Sequence, residues 1–173
     1  TVYTYNGYGQ CVSTVATTSY GLRTTASSTY STSPYIFGAL LSTEDSLGNV
    51  VRNYYDENSG RLLATVNEGT ADGVCYSYNG YGQLVTVKPA KYVSDTTYTE
   101  TENAEEVEYL YNADNLLSYI YTESTTYRFI YNNLGNTTSI KAGDNTLASY
   151  EYGDNNGKLL RITYGNVFYE RYV

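Results

Sequence analysis

Aromatic residues alternate with other residues in several short segments of the chain, and each segment runs into a cluster of Asn, Asp and Gly. One example places Tyr127, Phe129 and Tyr131 directly before Asn132-Asn133-Leu134-Gly135. A period of two puts the three rings on one face of a β-strand. Asn and Asp tolerate left-handed backbone conformations and Gly reaches positive φ easily, so the cluster indicates a tight reversal. The pattern therefore predicts a strand followed by a hairpin turn.

The same pattern recurs along the sequence. Residues 3–12 read YTYNGYGQCV and residues 76–85 read YSYNGYGQLV, so eight of these ten positions are identical. The basic period is about 20 residues, with insertions. Weaker copies occupy residues 53–63, 109–117, 129–138 and 150–160, and a partial copy, residues 45–51, keeps the turn without the tyrosines. The repeat-motif residues, interpreted as structural, are Tyr5, Gly9, Tyr55, Asp56, Gly60, Tyr78, Gly82, Tyr111, Tyr131, Gly135, Tyr152 and Gly157.

Consecutive copies predict an all-β fold. An isolated hairpin is marginally stable in water, so the hairpins must pair edge to edge. We expect about twelve strands, two for each copy, in a curled ribbon of consecutive antiparallel β-hairpins, because a twisted sheet of that width has to curl. Residues 103–108 are expected to lead into a strand rather than to form a helix. Three less regular stretches, residues 16–34, 88–101 and 142–146, are interpreted as long hairpin loops.

One copy carries a family resemblance. Residues 55–62, Tyr-Asp-Glu-Asn-Ser-Gly-Arg-Leu, follow Leu47-Gly48-Asn49-Val50-Val51, and this alternation resembles the YD repeats of the Rhs family. The resemblance covers most of the chain from residue 3 to residue 172 and is weakest between residues 16 and 43. The sequence departs from the family pattern in having Asn in place of Asp in most copies, and Asn115 stands where a turn Gly is expected.

The resemblance implies a β-ribbon that spirals into a hollow shell, which in bacterial toxins encloses a C-terminal toxin. By this interpretation residues 1–173 are a single YD-repeat array, one segment of a longer secreted or cell-surface bacterial protein. The segment would form part of a shell wall that encapsulates or displays a toxin or effector polypeptide. The Asp-Pro-x-Gly segment of family members near their cleavage point is absent, since the only prolines are Pro34 and Pro89. The expected partners are the remainder of the same polypeptide or an enclosed toxin domain.

The amino-acid composition of the chain excludes several classes of function. Ten Lys and Arg against 18 Asp and Glu give a net charge of −8, which provides no positive surface for nucleic acid or an anionic membrane. The chain has no His, so imidazole is excluded as a base, switch or metal ligand. It also has no run of about 20 apolar residues that would predict a membrane span. The two cysteines, Cys11 and Cys75, are interpreted as small half-buried side chains, with a single disulfide as the alternative.

Acidic residues are the remaining candidates for catalysis or metal binding. Paired carboxylates could support glycoside hydrolysis, and the turns at residues 56–60 and 154–157 have a faint likeness to calcium loops. Both turns lack the closing Glu of such a loop, whose positions hold Asn67 and Gly165. We interpret the acidic groups as solvated turn and edge charges, and we assign no catalytic residue, metal ligand or cofactor. The groups considered are Glu44 with Asp45, Asp56 with Glu57, Glu102 with Glu105 and Glu106, and Glu151 with Asp154.

Two further expectations concern binding. Tyrosine rings can stack on sugars, so the alternative function is a cell-wall or carbohydrate-binding repeat module that uses the Tyr faces. The first predicted strand, residues 2–5, carries no charge, and the last, residues 167–173, is mostly apolar. Free sheet edges expose unpaired backbone groups, so a homodimer is expected that pairs sheet edges or buries the tyrosine face.

Overall fold

The computed structural model describes residues 1–70, 72–153, 157–165 and 168–172. These residues form β-strands joined by turns and contain no helix, which confirms the predicted all-β class. The strands are β1 (Val2–Tyr5), β2 (Cys11–Thr17), β3 (Arg23–Tyr30), β4 (Leu40–Asp45), β5 (Val50–Tyr55), β6 (Leu62–Asn67), β7 (Gly73–Tyr78), β8 (Leu84–Ser94), β9 (Thr97–Glu100), β10 (Val107–Tyr111), β11 (Leu117–Tyr121), β12 (Thr126–Tyr131), β13 (Thr137–Ala142), β14 (Asn145–Tyr152), β15 (Leu159–Tyr164) and β16 (Phe168–Arg171).

The strands pair in chain order, as consecutive hairpins require. Backbone hydrogen bonds join β1 through β8 in sequence and then β10 through β16, while β9 lies off this path and pairs with β8. The pairings with a defined register are antiparallel, from β1 with β2 to β15 with β16. The prediction of consecutive antiparallel hairpins is therefore confirmed.

The chain divides into two compact units, and the first holds the larger core. This unit comprises residues 1–77 and 87–104. Its buried cluster contains residues of four strands, β5 to β8. The partly buried rings of Tyr92 in β8 and Tyr98 in β9 pack against this cluster. The β8–β9 hairpin thus supplies a cover for one face of the strands that precede it. The buried side chains are those of Tyr54, Ala64, Val66, Cys75 and Ala90.

Two contacts fix the tip of the β8–β9 hairpin within this first unit. The Tyr54 hydroxyl donates to the Ser94 carbonyl at 2.8 Å. Arg52 forms an ion pair with Asp95 at 3.0 Å and a second one with Glu68. The tip is therefore held by a buried ring and by a shared guanidinium group.

The second unit, residues 78–86 and 105–173, has a thinner interior. Among its described residues Ala148 is the one apolar side chain in the buried class, and most strand residues are half-buried. Its strands are therefore held largely by their hydrogen-bond ladders and by contacts across neighbouring strands.

The three stretches interpreted as long hairpin loops are the main error of the sequence prediction. Residues 16–34 contain the end of β2 and all of β3, and residues 88–101 continue β8 and then form β9 after a two-residue turn. Within residues 142–146, a two-residue turn joins the end of β13 to the start of β14. Thr- and Ser-rich stretches without aromatic alternation still form strands when a paired neighbour supplies their hydrogen bonds. The described strands therefore number 16 instead of about twelve.

Two other predictions concern residues 103–108 and the cysteines. Residues 103–108 lead into β10, which begins at Val107, as predicted. Cys11 and Cys75 are both free, with Cys75 buried in the core of the first unit and Cys11 half-buried. Burial raises the pKa of the Cys75 thiol, which therefore stays protonated as a small core side chain.

Candidate functional site

The repeated turns share one hydrogen-bond pattern. In the second strong copy the Asn79 side-chain oxygen accepts hydrogen bonds from the backbone N–H groups of Tyr81 and Gln83, both at 3.0 Å. The Gly82 N–H donates to the Asn79 carbonyl at 2.9 Å. An Asx side chain thus replaces the missing backbone partners in these repeated turns. The same pattern is built on Asn6, Asp45, Asn112 and Asn132.

The fourth residue of each turn requires a left-handed backbone. Gly82 has φ of 84° and Gly135 of 80°, and Asn115, which replaces Gly in its copy, has φ of 61°. Asn is the residue that tolerates this region best after Gly, so the fold keeps the turn without its glycine. The remaining motif glycines, Gly9, Gly60 and Gly157, also have positive φ.

Asp56 begins a longer version of the turn. Its carboxylate accepts hydrogen bonds from the Ser59 hydroxyl at 2.6 Å and from the Ser59 N–H at 2.7 Å. These bonds hold the pKa of the Asp56 carboxyl below its ordinary value. The Asp of the YD motif is therefore a turn-forming group in this chain.

We expect Asp56→Asn to reduce the acid sensitivity of the protein. A carboxyl with a lowered pKa in the folded state stabilises the fold above its unfolded pKa, near 3.8, and this contribution disappears as the pH falls through the folded value. The Asn side chain does not titrate, but its oxygen can still accept the hydrogen bonds of the turn, as Asn6 and Asn79 show. Urea unfolding at pH 6 and pH 3 measures the change. An equal acid-induced loss in wild type and variant would contradict the role given to Asp56.

Five tyrosines at strand ends, four of them repeat-motif residues, connect their strands to the strand before them. Each lies at the end of a strand where the register shifts, a local bulge that re-aims the side chain. Its hydroxyl donates to the carbonyl of the first residue of the preceding strand in the sheet order. The pairs are Tyr30 with Cys11, Tyr55 with Leu40, Tyr111 with Leu84, Tyr131 with Leu117 and Tyr152 with Thr137, at 2.6–3.1 Å.

Tyr131→Phe tests this connection where the hydrogen bond is shortest. Its hydroxyl lies 2.6 Å from the Leu117 carbonyl, and burial raises the pKa of Tyr131, which keeps the hydroxyl protonated as a donor. Removal of one such bond is expected to cost about 0.5–1.5 kcal/mol of unfolding free energy. Chemical denaturation measures the loss. Tyr5→Phe is the matched control, because the Tyr5 ring is 59% exposed on the first strand, and an equal cost in both variants would refute the assignment.

Two glutamines act in a way that the sequence interpretation missed. Gln10 accepts a hydrogen bond from the Asn6 amide at 2.7 Å and donates one to the Gly38 carbonyl at 3.1 Å. Gln83 repeats both contacts, with Asn79 at 2.8 Å and the Asn115 carbonyl at 3.0 Å. Each glutamine therefore fixes its own turn and joins it to another one. The sequence signal that could have revealed this role is that both glutamines end an identical YNGYGQ segment.

The acidic candidates that the structure describes make separate local contacts, and one of them, Glu105, lies beside Glu123, whose hydrogen bond and negative charge raise the pKa of the Glu105 carboxyl. Asp45 serves its own turn, and hydrogen bonds from Asn49 lower the pKa of its carboxyl. Glu151 forms an exposed ion pair with Arg161 at 3.3 Å. Among the described residues no group of three or more Cys, Asp or Glu side chains could hold a metal ion. Asp154, which was considered for both chemistries, lies outside the described residues.

Comparisons with known proteins show similarity of fold. No family model matches the chain, and no curated protein matches its sequence. Solved structures do match. "Crystal Structure of TcdB2-TccC3-Cdc42" has a TM-score of 0.67 and 19% identity over 92% of this chain. "Structure of Photorhabdus luminescens Tc holotoxin pore, Mutation TccC3-D651A" has a TM-score of 0.57 and 22% identity over 82% of this chain.

The matched region is a small part of those structures. The chain spans 9% of the TcdB2-TccC3-Cdc42 chain and 7% of the holotoxin chain. A third match, "Crystal Structure of TcdB2-TccC3 without hypervariable C-terminal region", has a TM-score of 0.65, 19% identity and the same 9% share. The arrangement of hairpins in this chain is thus one that recurs in toxin-complex proteins. In the described part of the chain there is no helix long and apolar enough to span a bilayer.

Proposed function

We propose that the chain is a non-enzymatic wall segment that encapsulates or displays a toxin or effector polypeptide belonging to a longer secreted or surface-attached bacterial protein. The observation that carries this proposal is the repeated link from a strand-end tyrosine to the preceding strand, which serves the cohesion of a sheet. The Rhs resemblance and the fold shared with Tc toxin structures support the same role. Residues 1–173 act in this proposal as one repeat array.

Protease protection in the complete polypeptide tests the wall role. In the polypeptide that contains this segment, the enclosed part should resist digestion while the wall is intact. Gly73→Ala, which disrupts the pairing of β6 with β7, should expose that part at a lower protease concentration, whereas Gly80→Ala should leave it protected, because no atom lies within 4 Å of the added Cβ at Gly80. Equal digestion of all three proteins with folded walls would overturn the proposal.

Exposed tyrosines support a second candidate, a carbohydrate-binding module. Tyr20 is 97% and Tyr81 82% exposed, and Tyr8 meets Phe37 edge to face at 4.9 Å between ring centroids. Rings presented in this way can stack on sugars. A glycan array should then show saturable binding that Tyr8→Ala and Tyr81→Ala reduce without loss of fold. Absence of sugar-specific binding would remove this candidate.

The free edge at β1 favours self-association of the isolated chain. All four residues of β1 are exposed and uncharged, so the strand lacks the charges that usually protect an edge. We expect a dimer that pairs two copies of β1 in antiparallel fashion. Light scattering at high protein concentration measures the mass, and Thr4→Lys, which adds a charge to this edge, should restore the monomer. A monomeric wild-type chain would contradict this expectation.

A further inference from the structure

A cavity of about 330 Å³ lies within the first unit, between strands β4 to β6 and the tip of the β8–β9 hairpin. Its volume falls in the range of small-molecule sites. The hydrogen bond from Tyr54 to Ser94 and the ion pair of Arg52 with Asp95 join the two walls of this cavity. The cavity is therefore preformed and does not depend on a ligand to bring its walls together.

Three tyrosine rings line the cavity. The rings of Tyr54 and Tyr98 lie 5.2 Å apart between centroids at an interplanar angle of 52°, so they form a corner instead of a flat stack. Tyr55 supplies the third ring. Burial raises the pKa of all three hydroxyls, which therefore stay protonated and leave the rings neutral. The face of a neutral aromatic ring is negative and attracts cations.

The charges at the cavity are negative on balance. Glu57 and Asp95 belong to its lining, whereas no Lys or Arg in the described part of the chain does. Arg52 holds Asp95 at 3.0 Å from outside the lining and is shared with Glu68. Three carboxylates therefore stand against one guanidinium group. A cleft with this excess of negative charge favours a positively charged occupant.

The neutral polar groups of the lining already make hydrogen bonds within the protein. The Asn53 amide donates to the Leu40 carbonyl at 3.0 Å, and its oxygen accepts a hydrogen bond from Thr65 at 2.8 Å. The hydroxyls of Tyr54 and Tyr55 donate to backbone carbonyls at 2.8 and 3.1 Å. These donors are therefore not offered to the hydroxyl groups of a sugar. A cation with apolar substituents needs only ring faces and negative charge.

We propose that this cavity binds a methylated ammonium group between its three tyrosine rings and its two carboxylates. A methylated group suits the site better than a lysine ammonium, which is strongly hydrated and needs hydrogen-bond acceptors. The same trimethylammonium chemistry is present in a soluble molecule such as choline and in the headgroup of phosphatidylcholine. The inference stands independently of the wall role, and its ligand differs from that of the carbohydrate-binding candidate.

Choline and its uncharged carbon isostere, in which a tert-butyl group replaces the trimethylammonium group, test the requirement for charge. Both are titrated into the full chain at constant ionic strength, and the backbone amide shifts of residues 96–98 are measured by NMR. Choline is expected to bind about three- to thirtyfold more tightly than the isostere, the combined range of one cation–π contact and one exposed ion pair.

Two pairs of variants locate the binding site. Glu57→Gln should weaken choline binding by up to about fivefold, whereas Glu44→Gln, which removes the same charge from β4 outside the lining, should not. Tyr98→Leu should weaken it about two- to fivefold, and Tyr98→Phe, which keeps the ring, should not. Glu57 is exposed in a turn, so its variant remains informative even where Tyr98→Leu loses the fold.

Three results would overturn the proposal. The first is equal affinity for choline and its uncharged isostere, and the second is the absence of any choline-induced shift at residues 96–98. The third is equal weakening by Glu57→Gln and Glu44→Gln, which would reduce the effect to a general attraction of cations to an acidic chain.

Co-sedimentation with phosphatidylcholine vesicles separates the two sources of the ligand. Co-sedimentation that choline displaces, and that Tyr98→Phe retains, would assign the site to a lipid headgroup. Choline binding without co-sedimentation would assign it to a soluble molecule. Both results support the proposed ammonium site.

Discussion

Tyr54→Ala is expected to lower the unfolding free energy of the first unit by about 3–5 kcal/mol, the usual cost of removing a large buried ring. The Tyr54 side chain is 8% exposed and packs with Val66 and Ala90 under the β8–β9 hairpin. Its hydroxyl also holds the Ser94 carbonyl at 2.8 Å. This cluster is the main apolar core among the described residues of the unit, so its loss removes most of the burial that holds the hairpin.

Tyr54→Phe separates the two contributions of this side chain. Phenylalanine keeps the ring and removes the bond to Ser94, so the expected cost is about 0.5–1.5 kcal/mol. Chemical denaturation monitored by tyrosine fluorescence measures both variants. A cost for Tyr54→Ala no larger than that for Tyr54→Phe would show that the β8–β9 hairpin does not depend on the buried ring.

Gly73→Ala is the second change with a large expected effect. A Cβ at Gly73 would lie 2.6 Å from the Val66 Cα and would also overlap the Thr65 carbonyl. The obstacles are backbone atoms of the paired strand β6, so a rotamer change cannot relieve the overlap and the strands must move apart. We expect a loss of about 3 kcal/mol, the upper end of the range for overpacking.

Two glycine variants control for the backbone effects of this substitution. Gly80→Ala meets no atom within 4 Å and should change stability by less than about 1 kcal/mol. Gly9→Ala also has open space, but its φ of 79° disfavours an L side chain by about 1–2 kcal/mol. The expected order of destabilisation is therefore Gly73, then Gly9, then Gly80. Thermal denaturation measures this order, and a Gly73→Ala protein as stable as Gly80→Ala would refute the steric argument.

The sequence predicted the hairpins because their chemistry is local. Alternating rings and an Asx turn need only neighbouring residues, so turns such as the one built on Asn132 could be identified from the sequence. Strand β3 was missed because its residues, Arg-Thr-Thr-Ala-Ser-Ser-Thr-Tyr, carry no such alternation. They form a strand because β2 and β4 pair with them on either side.

The candidate surfaces were harder to predict than the hairpins, because they are formed by residues that lie far apart in the sequence. The tyrosines were assigned a face of the sheet, yet their hydroxyls bind carbonyl groups 14 to 27 residues earlier in the chain. Glu151, Arg161 and Arg171 lie opposite one another on neighbouring strands only through strand register. Register depends on turn length, and a shift of one residue would move these charges to opposite faces.

The direction of the tyrosine bonds has a consequence for biosynthesis. Within the second unit the donors Tyr111, Tyr131 and Tyr152 each reach back to a carbonyl that precedes them in the chain. A hairpin that leaves the ribosome therefore finds its acceptor already synthesised, and it never waits for a later segment to satisfy its hydroxyl. Translation proceeds from the N-terminus, so the strands can be added one after another in the order in which they are made. This order of bonds permits the hairpins of the second unit to be added one by one during translation, with each completed hairpin as the template for the next.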